Sequence, residues 1–184
     1  MKLKLLILVL ALQSAWLLSV TFVQERGLSS GKVILLETAP VDPRDLMRGD
    51  YLILNYKISD VATNLFSPPA KTEIPPGTIV FVAVAPGTNE FFRVTRAGTN
   101  QFAPAPNEIM LRAQAAYPWW NRPGSVHLYY GIERFYVAEG TGRPTGKLTV
   151  QAVVSSSDRA MLKQLFVDGK PYADAMKSLS PSGN

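Results

Sequence analysis

A chain of 184 residues with 47% apolar and 18% charged side chains has enough apolar surface for one ordinary folded domain plus an appendage, and too little charge for a disordered one. Its net charge of +5 is spread along the sequence without a basic run or nucleic-acid motif, so nucleic acid is excluded as an expected partner and an anionic lipid or acidic protein surface is favoured. No cysteine is present and His127 is the single histidine, which removes disulfides, thiolate metal sites, cysteine nucleophiles, an acylated cysteine anchor and any histidine-rich metal centre; no cofactor is expected.

In chain order, the first element is apolar. Residues 5–23 carry no charge, and Gln13 is their one strongly polar interruption. As a helix this run is about 28 Å long, close to the hydrocarbon thickness of a bilayer. Lys2 and Lys4 precede it, while Glu25 and Arg26 follow and cancel. The excess of positive charge on the N-terminal side predicts a cytoplasmic N-terminus and an extracytoplasmic remainder. The expectation is therefore a retained transmembrane anchor over 1–23, set in a lipid bilayer. A cleaved signal peptide is the first alternative, but such peptides have a shorter apolar core and a small-residue cleavage site, which Ser19-Val20-Thr21-Phe22 does not supply. A buried core helix is the second, and apolar character all round the helix argues against it. Trp16 lies too deep for an interfacial aromatic and, with Gln13 and Ser14, offers a face for packing against another helix.

Residues 24–32 are polar and glycine-bearing and read as a linker. The following runs read as strands: 33–36, 51–58, 79–85, 91–96, 110–113, 126–132 continuing toward Val137, 148–154 and 160–167. Pro40 and Pro43 break the first, four prolines lie within 67–76, and Pro86-Gly87-Thr88-Asn89 is a turn. A helix over 158–166 competes with the last strand, because serines at 155–157 could cap it. The pattern predicts a mainly β domain over 33–170, an antiparallel sandwich or partly open barrel of about eight short strands, preceded by one transmembrane helix. A short helix over 172–179 and a frayed tail complete the chain.

The most distinctive segment is 41–56. A proline-led turn carrying Asp42, Arg44, Asp45 and Arg48 leads to Gly49, which permits a sharp bend, and Asp50, which can bond nearby backbone amides. The strand after it alternates Tyr51, Ile53 and Asn55 on one face with Leu52, Leu54 and Tyr56 on the other. Gly49, Asp50, Tyr51, Leu54 and Tyr56 match the motif of the bacterial GDYXXLXY family, and the run Tyr130-Gly131-Ile132-Glu133-Arg134-Phe135-Tyr136-Val137 with Glu139-Gly140 is similar to a second phrase of that family. The resemblance implies an N-terminal membrane segment, a compact extracytoplasmic domain and company with polytopic membrane proteins; it implies no particular activity. More distantly, Leu46-x-x-Gly49-Asp50 resembles the segment after the nucleophile of signal peptidases. Laid on that pattern, the nucleophile position falls on Val41, which cannot attack a carbonyl, so the likeness concerns scaffold alone.

Each candidate site has a structural alternative. The charges at 42–50 form either a recognition surface with a carboxylate pair or a set of turn-forming and capping residues in partly exposed ion pairs. Glu133 and Arg134, adjacent on a predicted strand, should point to opposite faces, with one of them reaching the Arg48/Asp50 turn. Trp119, Trp120 and Arg122, in a loop bounded by Pro118 and Pro123, could anchor a protein partner, dip into a membrane interface, or place one Trp in the core. His127, between Val126 and Leu128, reads as a strand residue. The expected function is that of a membrane-anchored accessory or binding protein, a single-pass subunit or assembly partner of an integral membrane protein complex, with no catalytic set of its own. The alternatives are a hydrolase or peptidase-like enzyme using carboxylates of 42–50 and an extracytoplasmic ligand sensor.

Overall fold

A computed structural model describes residues 2–39, 51–67, 74–137 and 144–179; within the N-terminal helix the side-chain environments are described for Lys4 and for 6–22. Among the described residues, the helix α1 (Lys2–Ser30) is followed by eleven strands and a C-terminal helix. α1 passes through the segment read as a linker, to Ser30. Elongation adds one backbone hydrogen bond per residue once a helix exists, and Gln24, Glu25, Arg26 and Leu28 are good helix formers, so Gly27 alone does not stop it. Every described side chain from 6 to 22 is exposed, among them Leu6, Leu10, Trp16, Leu17 and Phe22. Among the described residues, no helix is long and apolar enough to cross a membrane.

The described strands form three antiparallel sheets. β1 (Lys32–Glu37), β9 (Leu148–Val154), β10 (Ala160–Val167) and β11 (Lys170–Pro171) form the first, in the order β1-β9-β10-β11. β2 (Tyr51–Ile53) pairs with β8 (Arg134–Tyr136). The third sheet has the order β3-β7-β6-β4-β5, from β3 (Asp60–Ala62), β7 (Ser125–Tyr129), β6 (Ile109–Ala115), β4 (Ile79–Pro86) and β5 (Phe92–Gly98). Further backbone contacts bring them to a nearly closed barrel: Arg112 N–H of β6 donates to Asp158 O in the β9–β10 turn at 2.7 Å, and Phe66, just past β3, bridges Ala97 of β5 at the far edge of the same sheet.

The strand read over 51–58 keeps its alternation yet changes partner midway. Leu54 N–H donates to Glu133 O at 2.8 Å on the β8 side, whereas Lys57 N–H donates to Glu37 O at 3.0 Å and Asn55 O accepts from Ala39 at 2.7 Å on the β1 side. Because successive residues of an extended chain hydrogen-bond toward opposite edges, this one segment stitches β8 to β1. Leu52, Leu54, Tyr56 and Ile58 all enter the core, while Tyr51, Ile53 and Asn55 stay half-buried on the outer face. Ile34, Leu36, Val80, Val82, Val84, Leu111, Leu128, Val150 and Leu165 fill the interior around them.

The other elements follow period-2 patterning. Residues 158–166 are strand and turn, since Leu165 and Val167 face the core in register with Val150 and Leu148 across a hairpin whose turn places Asp158 at φ 61. The run 126–137 is broken at Gly131, whose φ of 84 is open to glycine at no steric cost, and so divides into β7 and β8. The helix α2 (Tyr172–Leu179) buries Tyr172, Ala175 and Met176, at helical spacing, and sets Tyr172 edge-on to Phe135 at 5.2 Å.

Candidate functional site

The two family-like phrases meet, and they do so through tyrosines. Tyr56, almost fully buried, donates its hydroxyl to Ile132 O at 2.6 Å. Tyr130, also buried, donates in the opposite sense to Ile58 O at 2.7 Å. Each phenol thus satisfies a backbone carbonyl in the other's segment, as buried polar groups must be satisfied. Burial, reinforced by the charge of Glu133, pushes both phenols well above the usual tyrosine range, so they remain donors at any ordinary pH.

The contact expected between Glu133 or Arg134 and the Arg48/Asp50 turn lies outside the described residues, and what the described residues give Glu133 is its own corner. Its carboxylate curls back on its own turn and accepts the N–H groups of Tyr130 and of Gly131, the latter at 2.9 Å. It precedes β8, so strand alternation does not apply to it, and Glu133 and Arg134 reach the same cleft instead of opposite faces. The Arg134 guanidinium lies over the Tyr51 ring at 5.3 Å, and Tyr51 meets Tyr136 at 5.9 Å.

That cleft, about 730 Å³, lies on the outer face of β2, β8 and β7. Its floor is the outward row of the motif strand, Tyr51, Ile53 and Asn55; Arg134 and Tyr136 form one wall. His127 and Tyr129 line the cleft from β7, and Trp120 lines it from the turn before that strand. The volume falls in the range usual for small-molecule sites.

His127 is held from four directions. Its Nδ1 is 2.7 Å from Asp60 Oδ1, its backbone N–H donates to Asn121 Oδ1 at 2.8 Å, the Trp120 ring stacks beside it at 6.3 Å, and Tyr129 meets it edge-on at 5.3 Å. The second Asp60 oxygen takes Arg122 Nη1 at 3.2 Å. A carboxylate accepting at Nδ1 fixes the neutral imidazole as the Nδ1–H tautomer and leaves Nε2 as an acceptor. Among the described residues Nε2 makes no hydrogen bond.

Of the residues singled out from sequence, the structure gathers Tyr51, Glu133, Arg134 and Trp120 at the cleft, puts Leu54 and Tyr56 in the core beneath it, and ties Arg122 behind its His127 wall. Trp119 points away, stacked on Tyr117 at 4.4 Å and 74% exposed. Neither tryptophan of the loop is core, because a short 3-10 turn over Pro118–Trp120 holds both outside the sheet. Trp16 is exposed on α1 beside Leu12, Gln13 and Leu17. Asp42, Arg44, Asp45, Arg48, Gly49 and Asp50, along with Val41, lie outside the described residues, so the carboxylate-pair and signal-peptidase readings have no geometry here. Asp60, Asn121 and the cleft role of His127 escaped the sequence reading. Strand parity alone puts His127 opposite the core-facing Val126 and Leu128, but its pairing with Asp60 joins segments far apart in the chain. Among the described residues no group of acidic and histidine side chains could hold a metal ion.

The fold and the cleft define a mainly β, barrel-like antiparallel domain behind an N-terminal helix, with one mixed aromatic and polar recess on its outer wall. The chain belongs to the family described as GDYXXLXY protein, which it matches over residues 13–170. No curated protein and no solved structure matches the chain. The family's signature has a physical reading here: Leu54 and Tyr56 are core residues, Tyr51 floors the recess, and Tyr56 binds the backbone of the second phrase.

Proposed function

We propose that the protein is a membrane-anchored accessory or binding protein of the bacterial inner membrane, with its β domain on the extracytoplasmic side and an integral membrane protein or complex as partner. The observation that carries this reading is the exposure of α1: its described side chains from 6 to 22 are uncharged and lie open, with Leu18 and Trp16 each 71% exposed. An apolar surface of that extent is costly in water and calls for lipid or another helix around it. The lysines at 2 and 4 support an inward N-terminus. The exposed Tyr117–Trp119 stack is a second apolar surface, of the kind that anchors protein interfaces.

The test is extraction of the full chain from its host membrane. Retention in the membrane after an alkaline carbonate wash, and a co-migrating membrane protein in native mass measurements after mild extraction, are the expected results. Release by carbonate would remove the anchor; a solitary monomer in every mild detergent would remove the accessory role.

A further inference from the structure

The recess has a composition that narrows its ligand. Ten of the described residues line it; Tyr51, Tyr129, Tyr136 and Trp120 are aromatic, and all four carry a polar tip. Four more are Asn55, His127, Glu133 and Arg134, each a planar group able to make two directed hydrogen bonds. Among the described residues, Ile53 is the one aliphatic side chain in the lining, and Gly131 is the tenth member.

Three ligand chemistries fit poorly. A hydrocarbon chain would meet one aliphatic side chain and a ring of unsatisfied polar atoms. Among the described residues, a strongly charged ligand would gain from one of Arg134 and Glu133 what it lost to the other, and Asp60 and Arg122, paired beside His127, neutralise each other. A metal lacks a ligand set among the described residues. What remains is a neutral, hydroxyl-rich molecule with flat apolar faces. A pyranose ring is that molecule: its axial C–H groups present a face for Tyr and Trp rings, and its vicinal hydroxyls match planar amide, carboxylate, imidazole and guanidinium groups.

Preorganisation strengthens the case. Asp60 fixes the tautomer of His127, Trp120 and Tyr129 pack against the imidazole, Arg134 is seated on Tyr51, and two backbone amides orient Glu133. Polar groups held in place before a ligand arrives lose little freedom when it binds.

We propose that the cleft between Tyr51, Tyr136 and Trp120 is a binding site for a neutral saccharide. The proposal rests on the cleft alone and is independent of the membrane anchor.

The experiment uses the full chain in lipid nanodiscs, prepared without any sugar-based detergent, and titrates cellotetraose, maltotetraose and chitotetraose while following tryptophan fluorescence and saturation transfer to the sugar ring protons. Saturable binding of at least one of the three is expected. Trp120→Ala and Tyr136→Ala, on separate elements of the lining and both largely exposed so that the core is spared, should each weaken it at least about tenfold. Trp119→Ala, outside the cleft, should leave it unchanged. The proposal is overturned if none of the three sugars binds saturably at concentrations up to about 10 mM. It is equally overturned if Trp119→Ala abolishes binding while Trp120→Ala and Tyr136→Ala, folded by circular dichroism, retain it.

Discussion

Replacing Tyr56 by Phe isolates one hydrogen bond on which the two motif phrases depend. The ring keeps its place in the core, and only the hydroxyl that reaches Ile132 O at 2.6 Å is lost. Ile132 is itself buried, so its carbonyl loses a partner where water does not readily replace it. An orphaned buried acceptor costs about 1–3 kcal/mol. For a domain of this size each 1 kcal/mol lowers Tm by about 2–4 °C, so a loss near 2 kcal/mol predicts about 4–8 °C. Tyr56→Ala also removes the ring and should cost about 3–5 kcal/mol more. Tyr130→Phe, which breaks the 2.7 Å bond to Ile58 O, should resemble Tyr56→Phe. The double variant should cost less than the sum, because both bonds clamp the same two segments and the first break already loosens the second. Calorimetry of the full chain and its four variants at neutral pH measures all of this. A Tyr56→Phe protein melting within about 1 °C of the parent, or as low as Tyr56→Ala, would refute the reasoning.

Alkaline pH gives a related prediction. Burial and the Glu133 charge raise the Tyr56 and Tyr130 phenols in the folded protein, whereas unfolded tyrosine ionises near pH ~10. The folded state therefore holds protons the unfolded state releases, and stability is intact below about pH 10 and falls as pH rises above it. Tyr56→Phe and Tyr130→Phe should each flatten that alkaline fall in Tm. Glu108 predicts the opposite limb: the Arg96 guanidinium at 2.7 Å, with Ala105 N–H and the Thr95 hydroxyl, holds its carboxyl down to about 2. Its contribution is present above an unfolded value near pH ~4.3 and is lost as pH falls toward 2, so the Tm gap between the parent and Glu108→Gln should close over that interval. Gly131→Ala should cost about 1 kcal/mol, through the positive φ alone, since open space surrounds the position where a Cβ would stand; a variant as stable as the parent in urea titration would show that the 130–133 corner relaxes.

Sequence alone determined the elements in which one periodicity dominates. The uncharged run at 5–23, the alternation at 148–154, the apolar strand at 79–85 and the short helix at 172–179 each state their secondary structure locally, whereas 160–167 also admitted a helix over 158–166 and is a strand because it pairs with β9; the motif residues Tyr51, Leu54 and Tyr56 already named the family. The split of the motif strand into two faces was legible too, Leu52, Leu54 and Tyr56 against Tyr51, Ile53 and Asn55, and the structure turns the first set inward. Tertiary structure decided what pairs with what. A strand's face is set by its own side chains, but its partner is set by backbone groups elsewhere, which is why the segment 51–58 could be read as one strand and yet joins β8 at one end and β1 at the other. The same holds for the site. Nothing near His127 in the chain announces Asp60, and nothing near Tyr51 announces Tyr129 or Trp120; these side chains share a recess because antiparallel pairing brings 60 to 127 and 51 to 136. Local patterning carries the free energy of burial, whereas a binding recess is an arrangement of distant residues that exists only once the sheets have closed.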